Sequence, residues 1–205
     1  CHILLGAIWV VIPYFMCEIS KIRERKSTKE ILNKEEQKYV FEIAEKTWKF
    51  FKTFLTKDNN YLIPDNYQED RKPLIVDRTS STNIGLSLLA VISSYDMGLE
   101  NLNDTLQLLK NIINTISELP KWNGHLYNWY NIKNKTPLVP QYVSTVDSGN
   151  FVGYLYTTKS FLIELELEEV KPLIDEITSM INNTDFNKLY SEEQRLFSIG
   201  FNIEE

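Results

Sequence analysis

The sequence predicts a mainly helical domain, on the strength of two patterns in its 205 residues. Five segments between residues 34 and 181 place apolar side chains at the three- and four-residue spacing of helices, and no run alternates like a half-buried strand. The connections between these helices are alternately short and long. Because antiparallel helical hairpins put alternate connections at the same end, the long connections should share one face.

The first element is an uncharged apolar run over residues 3–17, followed by four basic residues at Lys21, Arg23, Arg25 and Lys26. We interpret residues 1–26 as the end of a transmembrane helix with a cytoplasmic basic segment, although the run is shorter than the roughly 20 residues of a full span. A second interpretation, the core of a signal peptide, is disfavoured because no small-residue cleavage site follows the run. A buried core helix is disfavoured by Pro13 in its middle.

The next elements are helices predicted over residues 34–55, 82–97, 102–119, 148–167 and 170–181. Gly98 and Pro120 are natural stops for two of them. The long connections cover residues 59–81 and 121–147, and loops of more than about 12–15 residues in a compact domain are usually functional. A strand-like FSIGFN stretch after the fifth helix should lie on the same face as these two connections. Short links on one face and a cleft on the other describe an (α/α) toroid, of which residues 27–205 would be the first part.

Composition excludes several classes of function. A net charge of −6 offers no basic stripe for nucleic acid. The two cysteines, Cys1 and Cys17, build no disulfide framework or thiolate zinc site. Only His2 and His125 are available for a histidine metal centre, so no metal site is expected. There is no GxGxxG or P-loop sequence for a nucleotide.

The first long connection carries a polar segment, PDNYQED, and then VDRTSSTNIG before a helix. Its side chains are suited to hydrogen-bond sugar hydroxyls, although PDNYQED is equally suited to an Asx-type turn. The guanidinium fork of Arg78 matches a carboxylate partner such as Asp65 or Glu69. Ser81 or Thr82 is the expected helix cap. The candidate sugar-binding residues of this connection are Asp65, Asn66, Gln68, Glu69, Arg78 and Asn83.

The second long connection contains GHLYNWY and VSTVDSGN. Flat aromatic rings interleaved with an amide suit the apolar faces and polar edges of a pyranose, while the alternative is a β-hairpin edge with core aromatics. Asp147 lies at or next to a helix N-terminus, where the dipole stabilises a carboxylate, and it is also a plausible N-cap. A pair of carboxylates across a sugar is the machinery of glycoside cleavage. The candidates here are His125, Asn128, Trp129, Tyr130, Asp147 and Asn150.

Six ordered motifs resemble the cyclic β-1,2-glucan synthases: TWKFF, PDNYQED, RTSSTNIGL, GHLYNWY, VSTVDSGN and RLFSIGFN. The apolar run with its basic flank resembles the last membrane segment of that family. The resemblance implies an inner-membrane enzyme in which a glycosyltransferase domain uses UDP-glucose and a central (α/α)6 glycoside-hydrolase-like domain closes the glucan into a ring by transglycosylation.

By this resemblance the chain is the start of the cyclising domain, with its soluble part on the cytoplasmic side. Its partners would be the β-linked glucan, the membrane and the other domains of the polypeptide. It would use no cofactor of its own, and the catalytic glutamates would lie downstream of SIGFN, which leaves this fragment inactive alone. Two other functions stay open: an (α/α)6 β-glucoside hydrolase or phosphorylase, and a non-catalytic membrane-anchored carbohydrate-binding module.

Overall fold

The computed structural model of the protein describes residues 2–20, 32–72 and 74–203. The helices are α1 (His2–Ser20), α2 (Lys34–Phe54), α3 (Ser81–Asp96), α4 (Leu102–Glu118), α5 (Thr145–Glu164) and α6 (Lys171–Asn183). The strands are β1 (Arg78–Thr79), β2 (Asn128–Asn131), β3 (Pro137–Ser144), β4 (Tyr190–Ser191), β5 (Leu196–Phe197) and β6 (Gly200–Asn202). The protein is mainly helical, as predicted, and the five helices predicted beyond residue 34 are all present.

The chain forms two compact units, residues 1–39 and 40–205. The first unit holds α1, which covers the apolar run predicted to end a transmembrane helix. Among the residues that the structure describes, no helix is both long enough and apolar enough to span a bilayer. The interpretation of this run as the end of a transmembrane helix stays a prediction. The basic cluster at residues 21–26 lies outside the described residues, and the boundary predicted at residue 26 stays a prediction.

The second unit is built on α3 and α5, which run parallel to each other. Thr82 bonds Asp147 in the first turns of the two helices, and the Tyr95 and Phe161 rings meet near their ends with centroids 5.8 Å apart. Between these contacts, Gly85 leaves room for a tyrosine ring of α5 against the α3 backbone. The fully buried apolar side chains of α3, α4 and α5 are Ile84, Leu88, Val91, Leu109, Ile112, Ile113, Ile116, Leu155 and Leu162.

The start of each of these two helices is set by a serine. Ser80 caps α3, its Oγ accepting from the Asn83 N–H at 3.2 Å. The expectation that Ser81 or Thr82 is the cap is therefore wrong, because the serine before them already has that role. Ser144 caps α5 by accepting from the Asp147 N–H at 3.2 Å. Both helices thus direct their free N–H groups and positive dipole ends to the same face.

A four-stranded antiparallel sheet, in the order β1-β2-β3-β6, covers that face. The sequence predicted no alternating strands, and this part of the prediction is wrong. Three of the strands have only two to four residues, which is too short for a period-two pattern to show. The sheet joins both long connections to the stretch after α6, because β1, β2 with β3, and β6 come from these three segments.

The short links lie at the other end of the helices. The α3–α4 link follows Asp96 and the α5–α6 link follows Glu164, both at the C-terminal ends of the parallel pair. The expected division into a bland face and a face of long polar connections is therefore confirmed. It places several of the candidate sugar-binding residues near the N-terminal ends of α3 and α5.

Candidate functional site

The site is a half-buried group of side chains where β1 and β2 meet the first turns of α3 and α5. We call it the polar cluster and define it as Asp65, Arg78, Thr82, Asn83, Asn128, Trp129 and Asp147. It has two halves, each centred on one carboxylate, and the first turn of α3 contacts both.

Asp65 is the acceptor at the centre of the first half. Its Oδ2 accepts from Arg78 Nη2 at 3.3 Å and from Asn66 Nδ2 at 3.1 Å, and its Oδ1 accepts from Asn83 Nδ2 at 3.2 Å. The Asp65 N–H donates to the Arg78 carbonyl at 2.7 Å, so backbone and side chain both join the loop to β1. Gln68 extends the chain of bonds by donating to Asn66 Oδ1 at 3.0 Å.

Arg78 connects this carboxylate to an aromatic ring. Its guanidinium carbon lies 4.3 Å from the centroid of the Trp129 ring, which is cation–π distance. The Arg78 side chain is 42% exposed and that of Asp65 21%. Such an ion pair contributes little to stability, about 0–1 kcal/mol. Its effect is on geometry, because it holds the guanidinium over one face of the indole.

Asp147 is the centre of the second half. Its Oδ2 accepts from Asn128 Nδ2 at 2.9 Å and its Oδ1 from the Thr82 hydroxyl at 2.5 Å. Asn128 is held in turn by Ser81, whose hydroxyl bonds Asn128 Oδ1 at 3.1 Å. An ionised carboxylate only accepts, so both partners donate to Asp147. The positive end of the α5 dipole further stabilises its charge.

Four predicted site residues lie apart from these two carboxylates. Glu69 is exposed and bonds no residue in the described part of the chain, and Asn150 is exposed on α5. His125 is 1% exposed, and its Nε2 lies 3.0 Å from the Asp185 carbonyl, so this nitrogen carries the proton. Tyr130 is fully buried, where its hydroxyl donates to the Pro120 carbonyl at 2.6 Å and accepts from a backbone N–H.

Burial changes the acidity of both buried side chains. Desolvation lowers the pKa of His125 below its ordinary 6.5, although the Asp185 carbonyl acts in the other direction. Desolvation also raises the pKa of Tyr130 well above its ordinary value. Both side chains are buried, His125 just before β2 and Tyr130 within it, so they support the sheet and do not meet solvent.

Sequence reasoning missed Thr82 as a member of the site and Ser81 as its support through Asn128, because both were assigned to capping. One signal was available: RTSSTN offers four hydroxyl side chains around the start of α3, and a single helix needs only one N-cap.

A separate groove lies away from the polar cluster. This groove of about 460 Å³ lies between α4 and α6, lined by residues such as Lys110 and Glu176, and none of its lining residues is a predicted site residue. Within the described ranges no three metal-ligating side chains come together.

The sequence is 38% identical over 157 residues to the cyclic β-(1,2)-glucan synthase NdvB of Rhizobium meliloti (strain 1021). This confirms the resemblance that the six motifs predicted. The match covers 77% of the chain but only 6% of the relative. No protein-family profile matches the chain.

Solved structures share the fold at low sequence identity. A glucoamylase-like protein from Bacteroides fragilis NCTC 9343 matches with a TM-score of 0.73 and 17% identity, over 82% of this chain and 41% of that one. An endo-β-1,2-glucanase from Chitinophaga pinensis, solved with sophorotriose and glucose, matches with a TM-score of 0.65 and 14% identity, over 77% and 41%. The chain thus shares the helical fold of these two structures and spans less than half of each.

Proposed function

We propose, on the premise that the chain is related to the cyclic β-1,2-glucan synthases, that it forms the glucan-binding cleft of a transglycosylating, ring-closing domain. The observation that carries this proposal is the polar cluster. It places two internally braced carboxylates and a half-buried tryptophan on one surface, at the N-terminal ends of two parallel helices.

The chemistry of the cluster suits a neutral, hydroxyl-rich ligand. Asp65 and Asp147 present acceptors, which pair with sugar hydroxyl donors. The face of Trp129 opposite Arg78 suits the apolar C–H face of a pyranose. Since the positive charge of Arg78 is already matched by Asp65, the site has little unpaired charge with which to attract phosphate. The phosphorylase alternative is therefore disfavoured.

A second candidate is hydrolysis of β-1,2-glucan. It is favoured by the fold shared with an endo-β-1,2-glucanase whose structure holds sophorotriose. Hydrolysis and ring closure use the same kind of cleft and differ in whether water or a sugar hydroxyl attacks. Both candidates make the chain part of a carbohydrate-active enzyme.

The wider assignments follow from the family relationship alone and are part of the proposal. They are the inner-membrane location, the use of UDP-glucose by another domain, and contact with further domains of the same polypeptide. The catalytic acid and base are proposed to lie outside this chain.

Calorimetric titration with linear β-1,2-glucan tests the cleft. We expect binding, with weaker or no binding of β-1,4-linked chains of equal length. Asp147→Asn should weaken binding about tenfold or more. The substitution replaces one of the two acceptor oxygens by an NH2 group, which would then face a donor. Asp175→Asn, at an exposed position on α6, is the matched control and should bind like wild type. Equal binding by Asp147→Asn and wild type would remove Asp147 from the cleft.

Mass spectrometry of the glucan after incubation with the full polypeptide separates the two candidates. Rings weigh one water less than linear chains of the same length, whereas hydrolysis gives shorter linear chains. Formation of rings supports the first candidate, and shortened linear chains alone support the second.

A further inference from the structure

The first turn of α3 has more hydroxyl groups than capping requires. Ser80 satisfies the Asn83 N–H. The next three side chains each donate to a different segment of the chain: Ser81 to Asn128, Thr82 to Asp147, and Asn83 to Asp65. This turn therefore connects the loop before β1, strand β2 and helix α5.

The bonds of the second half run in one direction. Asp147 only accepts, so the Thr82 hydroxyl must donate to Oδ1 and the Asn128 amide to Oδ2. The Asn128 carbonyl oxygen is then free to accept from Ser81. With one bond on each oxygen, the carboxylate of Asp147 is fixed in orientation and keeps a lone pair on each oxygen for a ligand.

Thr82 is suited to this role because its χ1 choices are few. A threonine in a helix divides between two χ1 rotamers, and here the hydroxyl takes the one that bonds Asp147 Oδ1. A hydrogen bond to an ionised acceptor is also among the stronger kinds. Thr82 and Asp147 are both half-buried, so the fixed carboxylate still reaches solvent.

The bond is not needed to hold the two helices together. The α3–α5 pair packs along its length, with close contact at Gly85 and a buried apolar core. A hydroxyl at position 82 is thus redundant for packing, while nothing else in the described part of the chain bonds Asp147 Oδ1.

We propose that Thr82 is a positioning residue for the glucan site, which orients the Asp147 carboxylate to accept a sugar hydroxyl. The inference rests on the proposed function, because it assumes that Asp147 meets the glucan. It assigns to Thr82 a role in ligand affinity beyond that of a helix-start residue.

The test is calorimetric titration of the complete chain with linear β-1,2-glucan. Thr82→Val keeps the shape and removes the hydroxyl, and we expect affinity to fall about tenfold. Thr82→Ser restores the hydroxyl and should bring affinity back to within about threefold of wild type. Thr157→Val is the matched control, since the Thr157 hydroxyl is exposed and bonds only the Gly153 carbonyl. It should bind like wild type.

Far-UV circular dichroism at the assay temperature identifies folded variants, and Thr82→Ala replaces Thr82→Val if the latter does not fold. Unchanged affinity in Thr82→Val, with Asp147→Asn still weakened, overturns the inference and leaves the proposed function standing. Equal losses in Thr82→Val and Thr82→Ser also overturn it, because the hydroxyl would then not be the cause. Absence of glucan binding by wild type overturns both.

Discussion

Trp129 is the residue whose surroundings say most about how a sugar would bind. Arg78 occupies one face of its ring, at 4.3 Å from the centroid, and is itself tied to Asp65. With Arg78 over one face, the ring has at most one face left on which a sugar could stack.

We expect Trp129→Ala to weaken binding of linear β-1,2-glucan by about tenfold. The substitution removes the apolar area that the ring would bury against the sugar, and a loss of about 1.4 kcal/mol corresponds to tenfold in affinity. Trp129→Phe keeps a flat face and should lose less. Calorimetric titration measures both. A Trp129→Ala variant with wild-type affinity would contradict a stacking role.

Single residues were predictable where chemistry alone selects a partner. The planar guanidinium of Arg78 predicted a carboxylate partner, and in the structure that partner is Asp65. His125 shows the limit of this reasoning. Its Nε2 bonds a carbonyl at residue 185, sixty positions away, and local sequence carries no sign of that contact.

At the scale of elements, the helices were predictable because apolar side chains recur along them at three- and four-residue spacing. α4 starts and ends within a residue of the prediction, as an amphipathic helix should. α5 begins at Thr145, three residues earlier than predicted, because β3 runs directly into the Ser144 cap. The short strands were not predictable, since their pairing partners come from three distant segments.

The packing of α3 on α5 depends on a glycine. A Cβ at Gly85 would lie 2.0 Å from Tyr154 Cδ2 and 3.0 Å from its Cγ, so the whole ring would have to move. Gly153, on the exposed side of α5, has no atom within 4 Å of an added Cβ. The two glycines therefore share a helical setting and differ in what surrounds them.

We expect Gly85→Ala to lower the free energy of unfolding by about 1–3 kcal/mol through overpacking, less the gain in helix propensity of about 1 kcal/mol. Gly153→Ala should instead be neutral or stabilising by up to about 1 kcal/mol. Urea unfolding followed by circular dichroism measures both. Equal effects of the two substitutions would mean that α3 and α5 do not approach closely at Gly85.

At the scale of the second unit, one buried junction joins the segment before β2 to the segment after α6. The Asp185 N–H donates to the Asn123 carbonyl at 3.0 Å, and His125 returns a bond to the Asp185 carbonyl. The Phe186 ring meets the imidazole edge-on at 5.0 Å. Gly124, at φ +83°, has no room for a Cβ beside the backbone of Asn183. These contacts join two segments that are far apart in the sequence. The protonation state of His125 therefore affects the stability of the whole unit.

The protonation state of His125 should make the stability of the fold depend on pH. Burial lowers the pKa of His125 in the folded protein below the ordinary 6.5, and its Nδ1 is buried with no partner among the described residues. Protonation would therefore create a charged, unpaired donor in the interior. Below about pH 6.5 His125 binds a proton in the unfolded chain but not in the folded chain. The free energy of unfolding therefore falls as pH falls. The slope is at most about 1.4 kcal/mol per pH unit, and the loss ends once pH passes the folded pKa.

Urea unfolding of wild type and His125→Gln at pH 7.5 and 5.5 measures this effect. The glutamine amide keeps a donor for the Asp185 carbonyl and does not titrate. We expect His125→Gln to be less stable than wild type at pH 7.5 because the close packing against Phe186 is lost, and to lose less stability on acidification. Equal pH slopes in wild type and His125→Gln would show that His125 protonates as readily in the folded chain as in the unfolded one, and would rule out the buried neutral imidazole at this junction.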